Sequence, residues 1–400
     1  MLKAIKIRLY PTETQQITIN KLLGCCRLVY NRCLYHRNRI YEETKESYSL
    51  SKSYKYFCVL KELEEYSFLK TDAHSKVIQQ SLRDQDVAFK NFFTKKSKFP
   101  KFKSKKDNKQ SCRFPKDAIS GIKGNRINII KSLKNIHFKC SCKDESYLNK
   151  NQGLIMSATL TRTCSGKYYF SILIDKPHET KFRDTTNIVG IDLGIKDLII
   201  TSNGEKFENK HFYKKQENKL KKLNRKFAKT QISSKNHQKI RVKIAKLNEK
   251  IQNQRLWYIH HIVNQLLNEN QVIVMEDLNV SGMMQNHKLA KSIQDVSLCE
   301  LKRILEYKAS WNDKRVIFID RFYPSSKLCS DCGYKNEELQ LSDREWVCPE
   351  CGVVHDRDVN AAKNILKEGK RIIGLSSPEF KRVGERAVAS SMNLEKHVRY

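Results

Sequence analysis

Apolar residues follow two periods in the first half of the chain and run unbroken in parts of the second. Between residues 2 and 10, Leu2, Ala4, Ile5, Ile7 and Leu9 interleave with Lys3, Lys6 and Arg8, a strand pattern that Pro11 ends. Thr12-Glu13-Thr14-Gln15 resembles a capping box. After it Ile19, Leu22, Leu23, Cys26, Val29, Tyr30 and Cys33 recur at steps of three and four, predicting a helix with one buried stripe. Lys21, Arg27, Arg32, Arg37 and Arg39 fall on the other face, as a solvated surface or as phosphate contacts. Two more helices are expected, over about 53–65 and over 72–94 with Ile78, Leu82, Phe89 and Phe92 in line. From 119 to 176 the segments become short and strand-like, at 127–130, 136–139, 158–161 and 168–174, with a turn at Ser165-Gly166. Such antiparallel segments predict a small β-barrel, which the 2–10 strand completes if the helices are an insertion.

The second half carries apolar runs without alternation. One covers residues 186–191 and ends on Asp192-Leu193-Gly194; Leu198-Ile199-Ile200 follows, with a hairpin turn at 201–205. Val272-Ile273-Val274-Met275 ends on Glu276, and Val316-Ile317-Phe318-Ile319 follows a helix near 295–312. Between them, residues 209–250 read as a helical hairpin broken near Ser233-Ser234, with a seam of Leu220, Leu223, Phe227, Ile240, Ile244, Leu247 and Ile251; the helix continues to about Asn268. Near-continuous apolar strands separated by a helix predict a sheet covered on both faces.

Charge narrows the class. Lys and Arg number 77 against 43 Asp and Glu, a formal charge of +34. Such a surplus self-repels unless a polyanion meets it, so nucleic acid is the leading partner. Residues 209–250 hold fifteen Lys and Arg against Glu217 and Glu249, and residues 95–116 hold ten against Asp107, interleaved with Phe99, Phe102 and Phe114. The latter run reads as a solvated linker or as a surface on which unpaired bases stack. No apolar run approaches membrane-spanning length and no signal peptide is read at the start, so a cytosolic protein is expected. The scattered cysteines (25, 26, 33, 58, 112, 140, 142, 164 and 299) are then expected to be small core hydrophobes rather than disulfide halves.

Two clusters carry candidate chemistry. Cys329-Ser330-Asp331-Cys332 and Cys348-Pro349-Glu350-Cys351 lie fifteen residues apart, the pattern of two zinc knuckles, each followed by a glycine. Four thiolates would close the shell, which makes the one Zn²⁺ structural. The second cluster is acidic. Asp192 and Glu276 each end a strand, so parallel neighbours would bring both to one sheet edge. Asp358 follows Asp356 at the start of a helix whose inward face holds Ala361, Ala362, Ile365 and Leu366; Asp356 suits the cap and Asp358 the site. Asp192 could also be a turn cap, and Asp358 an ordinary acid of a helix N-terminus. Three such acids in a very basic protein suit a nuclease with two Mg²⁺ ions, since oxygen donors bind hard cations that offset their repulsion.

Several stretches resemble the TnpB (OrfB) family of bacterial insertion sequences: Gly190-Ile191-Asp192-Leu193-Gly194, Met275-Glu276-Asp277-Leu278, residues 324–333, and Asp356-Arg357-Asp358-Val359-Asn360-Ala361-Ala362. Residues 22–31 and 88–93 also resemble it, so the likeness spans nearly the whole chain. It implies an RNA-guided DNA endonuclease related to type V CRISPR effectors. The implied fold is α/β and multidomain: a RuvC domain of RNase H-like fold with an inserted zinc ribbon, plus an N-terminal β-barrel carrying a helical insertion. The corresponding ranges are 1–10 and 115–180 for a wedge-like barrel, 11–114 for a recognition insert, 181–326 and 353–380 for the nuclease, 327–352 for a zinc ribbon that binds target nucleic acid, and 381–400 for a tail. By the same resemblance Asp192, Glu276 and Asp358 are the catalytic Mg²⁺ ligands, Cys329, Cys332, Cys348 and Cys351 hold zinc, and the partners are a guide RNA from the flanking element and double-stranded target DNA. Trp311-Asn312-Asp313 departs from the pattern, where a glycine-containing turn is expected. A transposase joining DNA ends, or an RNA-guided regulator that binds without cutting, would share these features.

Overall fold

The computed structural model describes residues 1–107, 109–177, 180–183, 185–287, 289–340 and 342–374. The chain divides into two compact units, Met1–Pro177 and His178–Tyr400. The expected tail at 381–400, with 375–380 before it, lies outside the described residues.

In the first unit β1 (Leu2–Tyr10) leads into α1 (Glu13–Thr44) through the expected capping box, in which Thr12 and Gln15 satisfy each other's backbone N–H groups. All seven residues of the expected stripe are buried. Arg37 does not lie on a solvated face: it pairs with Asp86 at 3.6 Å and sits 3.9 Å from the centre of the Phe89 ring. α2 (Leu50–Leu60) stops five residues short of its expected end and gives way to a 3₁₀ turn (Glu64–Lys70) before α3 (Ser75–Phe93).

The sheet comprises β1, β2 (Lys109–Pro115), β3 (Gly121–Lys123), β4 (Arg126–Asn128), β5 (Ile136–Lys139), β6 (Ile155–Thr163) and β7 (Tyr168–Asp175), ordered β2-β6-β7-β1-β5-β4-β3 and antiparallel throughout. β1 lies mid-sheet, as expected of a strand that joins the later hairpins. β2 corrects the reading of the basic run. It begins at Lys109, inside the stretch assigned to the helical insert, and Phe114 is fully buried in the core instead of offering a stacking face. Phe99 and Phe102 do remain exposed. Lys103 is pinned, because the Asn31 side chain bonds both its backbone N–H and its carbonyl. A helix α4 (Cys142–Lys150), capped by Ser141, was not foreseen; its one buried residue, Leu148, leaves no periodic signal.

The second unit is built on a five-stranded sheet of β8 (Ile188–Asp192), β9 (Asp197–Thr201), β10 (Lys206–Glu208), β11 (Val272–Glu276) and β12 (Arg315–Ile319), ordered β10-β9-β8-β11-β12. β8, β11 and β12 are parallel; β9 and β10 are antiparallel to their neighbours. α5 (Phe212–Ala228) and α6 (Lys235–Glu269) form the expected helical hairpin, with Ser234 capping the second arm. α7 (Val280–Met283), α8 (Ala290–Val296) and α9 (Leu298–Ser310) follow β11. Asp313 supplies the turn before β12 at φ 55°, where a glycine was expected. A small hairpin, β13 (Glu345–Val347) and β14 (Val354–Asp356), precedes the helix α10 (Arg357–Ile372).

Both sheet faces are covered. Val189, Ile191, Ile273 and Met275 pack with Ile259, Ile262, Val263 and Leu266 of α6 and Leu301, Ile304 and Leu305 of α9. The alternate positions Ile188, Val272, Val274 and Ile319 pack with Ile365 of α10. α10 lies unusually close to the strands. A Cβ on Gly190 would stand 2.2 Å from the Ala362 carbonyl oxygen, and one on Gly369 would stand 2.4 Å from Val274. Of the scattered cysteines, Cys25, Cys26, Cys33 and Cys112 are buried as expected, whereas Cys58, Cys142, Cys164 and Cys299 are exposed. Among the described residues no helix is long and apolar enough to cross a membrane.

Gly190→Ala must push α10 outward, since a backbone oxygen cannot swing aside. Urea unfolding should show a loss on the order of 1–3 kcal/mol. Gly153→Ala, whose Cβ would meet nothing within 4 Å, should be nearly neutral. Equal effects from both would show that the close approach does not matter.

Candidate functional site

Strand alternation builds the acidic site. Asp192 shares the α10 face with Ile188 and Gly190, and Glu276 shares it with Val272 and Val274. The Ile191–Met275 pairing sets the two carboxylates at neighbouring strand ends. α10 brings Asp358 to the same corner. Asp356 caps that helix by accepting from the N–H groups of Asp358 and Val359, and Lys206 of β10 grips its other oxygen at 2.6 Å. Asp356 is therefore the cap, as expected, and the Asp358 carboxylate takes no part in capping.

The electrostatics identify these acids as neighbours. Burial, then the charges of Glu276 and Asp358, push the Asp192 carboxyl from its ordinary 3.8 up to about 7. Burial also raises Glu276, against a hydrogen bond donated by Ser325. The Arg344 guanidinium donates to Asp358 at 3.2 Å. Asp277 differs from these acids: Lys302 and Arg321 pair with it, at 2.7 and 3.1 Å, and hold its carboxyl below the ordinary range. The three site carboxylates are spaced more widely than a closed metal shell. Among the described residues only Cys329, Cys332, Cys348 and Cys351, and the group Cys329, Asp331 and His355, bring three or more ligand atoms within 4.8 Å of one another.

The cysteine quartet is two copies of one turn. Gly333 N–H donates to the Cys329 carbonyl and Gly352 N–H to the Cys348 carbonyl, with both glycines at positive φ, 83° and 74°. Sγ of Cys329 lies 3.7 Å from that of Cys351, and Sγ of Cys332 lies 3.5 Å from that of Cys348. Four sulfurs at this spacing fit a tetrahedral zinc shell.

α10 stitches the quartet to the acidic corner. The buried Asn360 side chain accepts from Ser330 N–H and donates to the Leu328 carbonyl; Asn364 donates to the carbonyls of Ser325 and Leu328. Arg357 N–H donates to the Arg344 carbonyl. Sequence reading gave no role to Ser325, Arg344, His355, Asn364 or Gly369. Asn360 and Asn364, one turn apart on an otherwise apolar helix face, are a signal that could have been used, because buried amides need partners. Ser325 and Arg344 reach the site only through tertiary packing.

Comparison with known proteins shows the family. Three family profiles match in order: a helix-turn-helix domain over residues 1–46, a probable transposase of the OrfB type over 171–287, and a Cas12f1-like TNB domain over 299–365. Residues 1–46 here form one strand and one long helix. A Streptomyces pristinaespiralis protein named "Putative RNA-guided DNA endonuclease" is 36% identical over 92% of this chain and 89% of its own length. InsQ of Escherichia coli K12, named in the same way, is 31% identical over 93% of each. The solved complex of Cas12f1 with sgRNA and target DNA shares the fold at a TM-score of 0.57 and 14% identity, covering 91% of this chain and 98% of that one. The chain belongs to the TnpB (OrfB) family.

A raised carboxyl means that the folded state holds its proton more tightly than the unfolded state does. The stability lost through Asp192 therefore grows as pH rises from about 4 to about 7 and is complete above that. Asp192→Asn removes that charge. In magnesium-free buffer at pH 8 it should raise the melting temperature by roughly 2–4 °C. A fall would contradict the electrostatic reading.

Proposed function

We propose that this chain is an RNA-guided, Mg²⁺-dependent DNA endonuclease of an insertion sequence, acting in the cell interior on double-stranded DNA. The observation that carries the reading is the convergence of Asp192, Glu276 and Asp358 on one sheet corner, in a chain 36% identical to a relative so named. The strand order and directions of the second unit support an RNase H-like (RuvC) nuclease, with residues 327–352 as its zinc ribbon. The antiparallel sheet of the first unit, with its helices, supports the wedge-like barrel and recognition insert.

The acidic corner suits hard cations, because it presents oxygen donors from three separate elements while burial disfavours their uncompensated charge. Bound there, Mg²⁺ would supply an activated water and a counter-charge for the leaving 3′ oxygen. The residues of the chain set the stage. Asp192 and Glu276 project from rigid strand ends, and the Ser325 hydroxyl orients Glu276. Asp358 is held by the first turn of α10, and Arg344 compensates its charge until a cation does. Guide pairing would select the target, and the basic surface would hold the duplex by its backbone. Cys329, Cys332, Cys348 and Cys351 fit one structural Zn²⁺, which would fix the ribbon against α10.

Protein co-expressed with its flanking DNA should purify with RNA and cut a plasmid bearing the matching target in Mg²⁺, and Asp192→Ala should bind RNA without cutting. Cutting and joining of element ends without RNA would replace this reading with a transposase, and guided binding without cutting by either protein would replace it with a regulator. Cys329→Ser should lower zinc content, measured by elemental analysis, and weaken DNA binding; unchanged zinc would remove the quartet from the reading.

A further inference from the structure

His355 is the buried polar side chain beside the cysteine quartet that the proposed mechanism leaves unused. It lies in the middle of β14 and is 4% exposed. Its cross-strand partner is Trp346, and the two rings lie 4.9 Å apart. Trp346 itself packs with Cys329, Leu339 and Cys348. The imidazole also reaches the quartet: Nε2 is 3.0 Å from Sγ of Cys329 and 3.8 Å from an Asp331 oxygen. The residue after His355 is Asp356, the cap of α10.

We infer that His355 is a positioning residue of the metal centre. Its Nε2–H donates to the Cys329 thiolate, and so ties metal loading of the ribbon to the start of the helix that carries Asp358. This rests on the zinc reading given above. The chemistry favours a donor over a fifth ligand. Four sulfurs already complete a tetrahedral shell, and a zinc-bound thiolate is purely an acceptor, so the nitrogen 3.0 Å away must present its proton. Four thiolates on one Zn²⁺ leave a net charge of −2, which an N–H···S bond draws off at Cys329, the most buried corner along with Cys348. Outer hydrogen-bond partners of this kind govern metal affinity by about 10–100-fold. The ring cannot turn away, because Trp346 covers one side of it. The link to α10 is short: His355 touches Cys329, and Asn360 of α10 holds the N–H of Ser330, the next residue in the knuckle.

The test uses the full-length chain. Zinc affinity is measured by competition with a chromophoric chelator, and ligation by the absorption spectrum of the Co²⁺-substituted protein. His355→Phe keeps the ring against Trp346 and removes the donor; it should weaken zinc binding about tenfold or more while the Co²⁺ spectrum stays that of four thiolates. His355→Gln, which keeps a donor, should recover much of the affinity, and the cutting lost in His355→Phe should return in excess zinc. Unchanged affinity in both variants would overturn the role of His355 and leave the zinc centre standing, as would a wild-type spectrum of mixed nitrogen and sulfur ligation. Wild-type protein that takes up neither zinc nor Co²⁺ would overturn the zinc reading itself. If His355→Phe does not fold, the comparison of His355→Gln with His355→Leu decides the point.

Discussion

The second unit depends on how closely α10 can lie on its sheet. Gly190 and Gly369 remove the two side chains that would hold the helix away, one from the strand and one from the helix. With those atoms absent, the Ala362 carbonyl and the Leu366 backbone rest on β8, and the Gly369 backbone rests on Val274 of β11. Tight packing in a protein interior admits no soft spacer, so each contact sets a distance. The first turn of α10 is thereby brought level with the ends of β8 and β11, where Asp192 and Glu276 stand.

That placement has an electrostatic cost. Three carboxylates at one corner oppose one another, and burial compounds the penalty at Asp192 and Glu276. The structure meets the cost piecemeal, with Arg344 at Asp358 and the Ser325 hydroxyl at Glu276. Neither donor neutralises Asp192. Under the proposed reading a bound cation would relieve that strain, and instability in its absence is the counterpart of the proposed activity. The cysteine quartet is tied into the same arrangement, because Asn360 and Asn364 take up the free polar groups around the first knuckle and Arg344 stands immediately before β13.

In the first unit the capping box, the buried stripe of α1 and the central place of β1 all follow from residues close together in sequence. The errors there have a common cause. Arg37, Phe114 and Lys103 were read from the company they keep along the chain, but each is defined by a partner far away: Asp86 and Phe89 for Arg37, the sheet core for Phe114, Asn31 and Tyr30 for Lys103. A basic stretch looks uniformly solvated until a strand register assigns one of its side chains to the interior.

The sequence by itself determined the elements and the chemistry they could carry. Periodicity marks most strands and helices, the two glycine-bearing knuckles mark a candidate metal site, and acids at the ends of apolar strands mark a corner. These are local signals, set by backbone geometry and by the cost of burying charge. Only the tertiary structure decided which side of the sheet the acids face, how near α10 can come, and which donors serve the acids and the sulfurs. Gly369, Ser325, Arg344 and His355 act on residues that are distant in the chain or across a packed interface, and no spacing in the sequence encodes contacts of that kind.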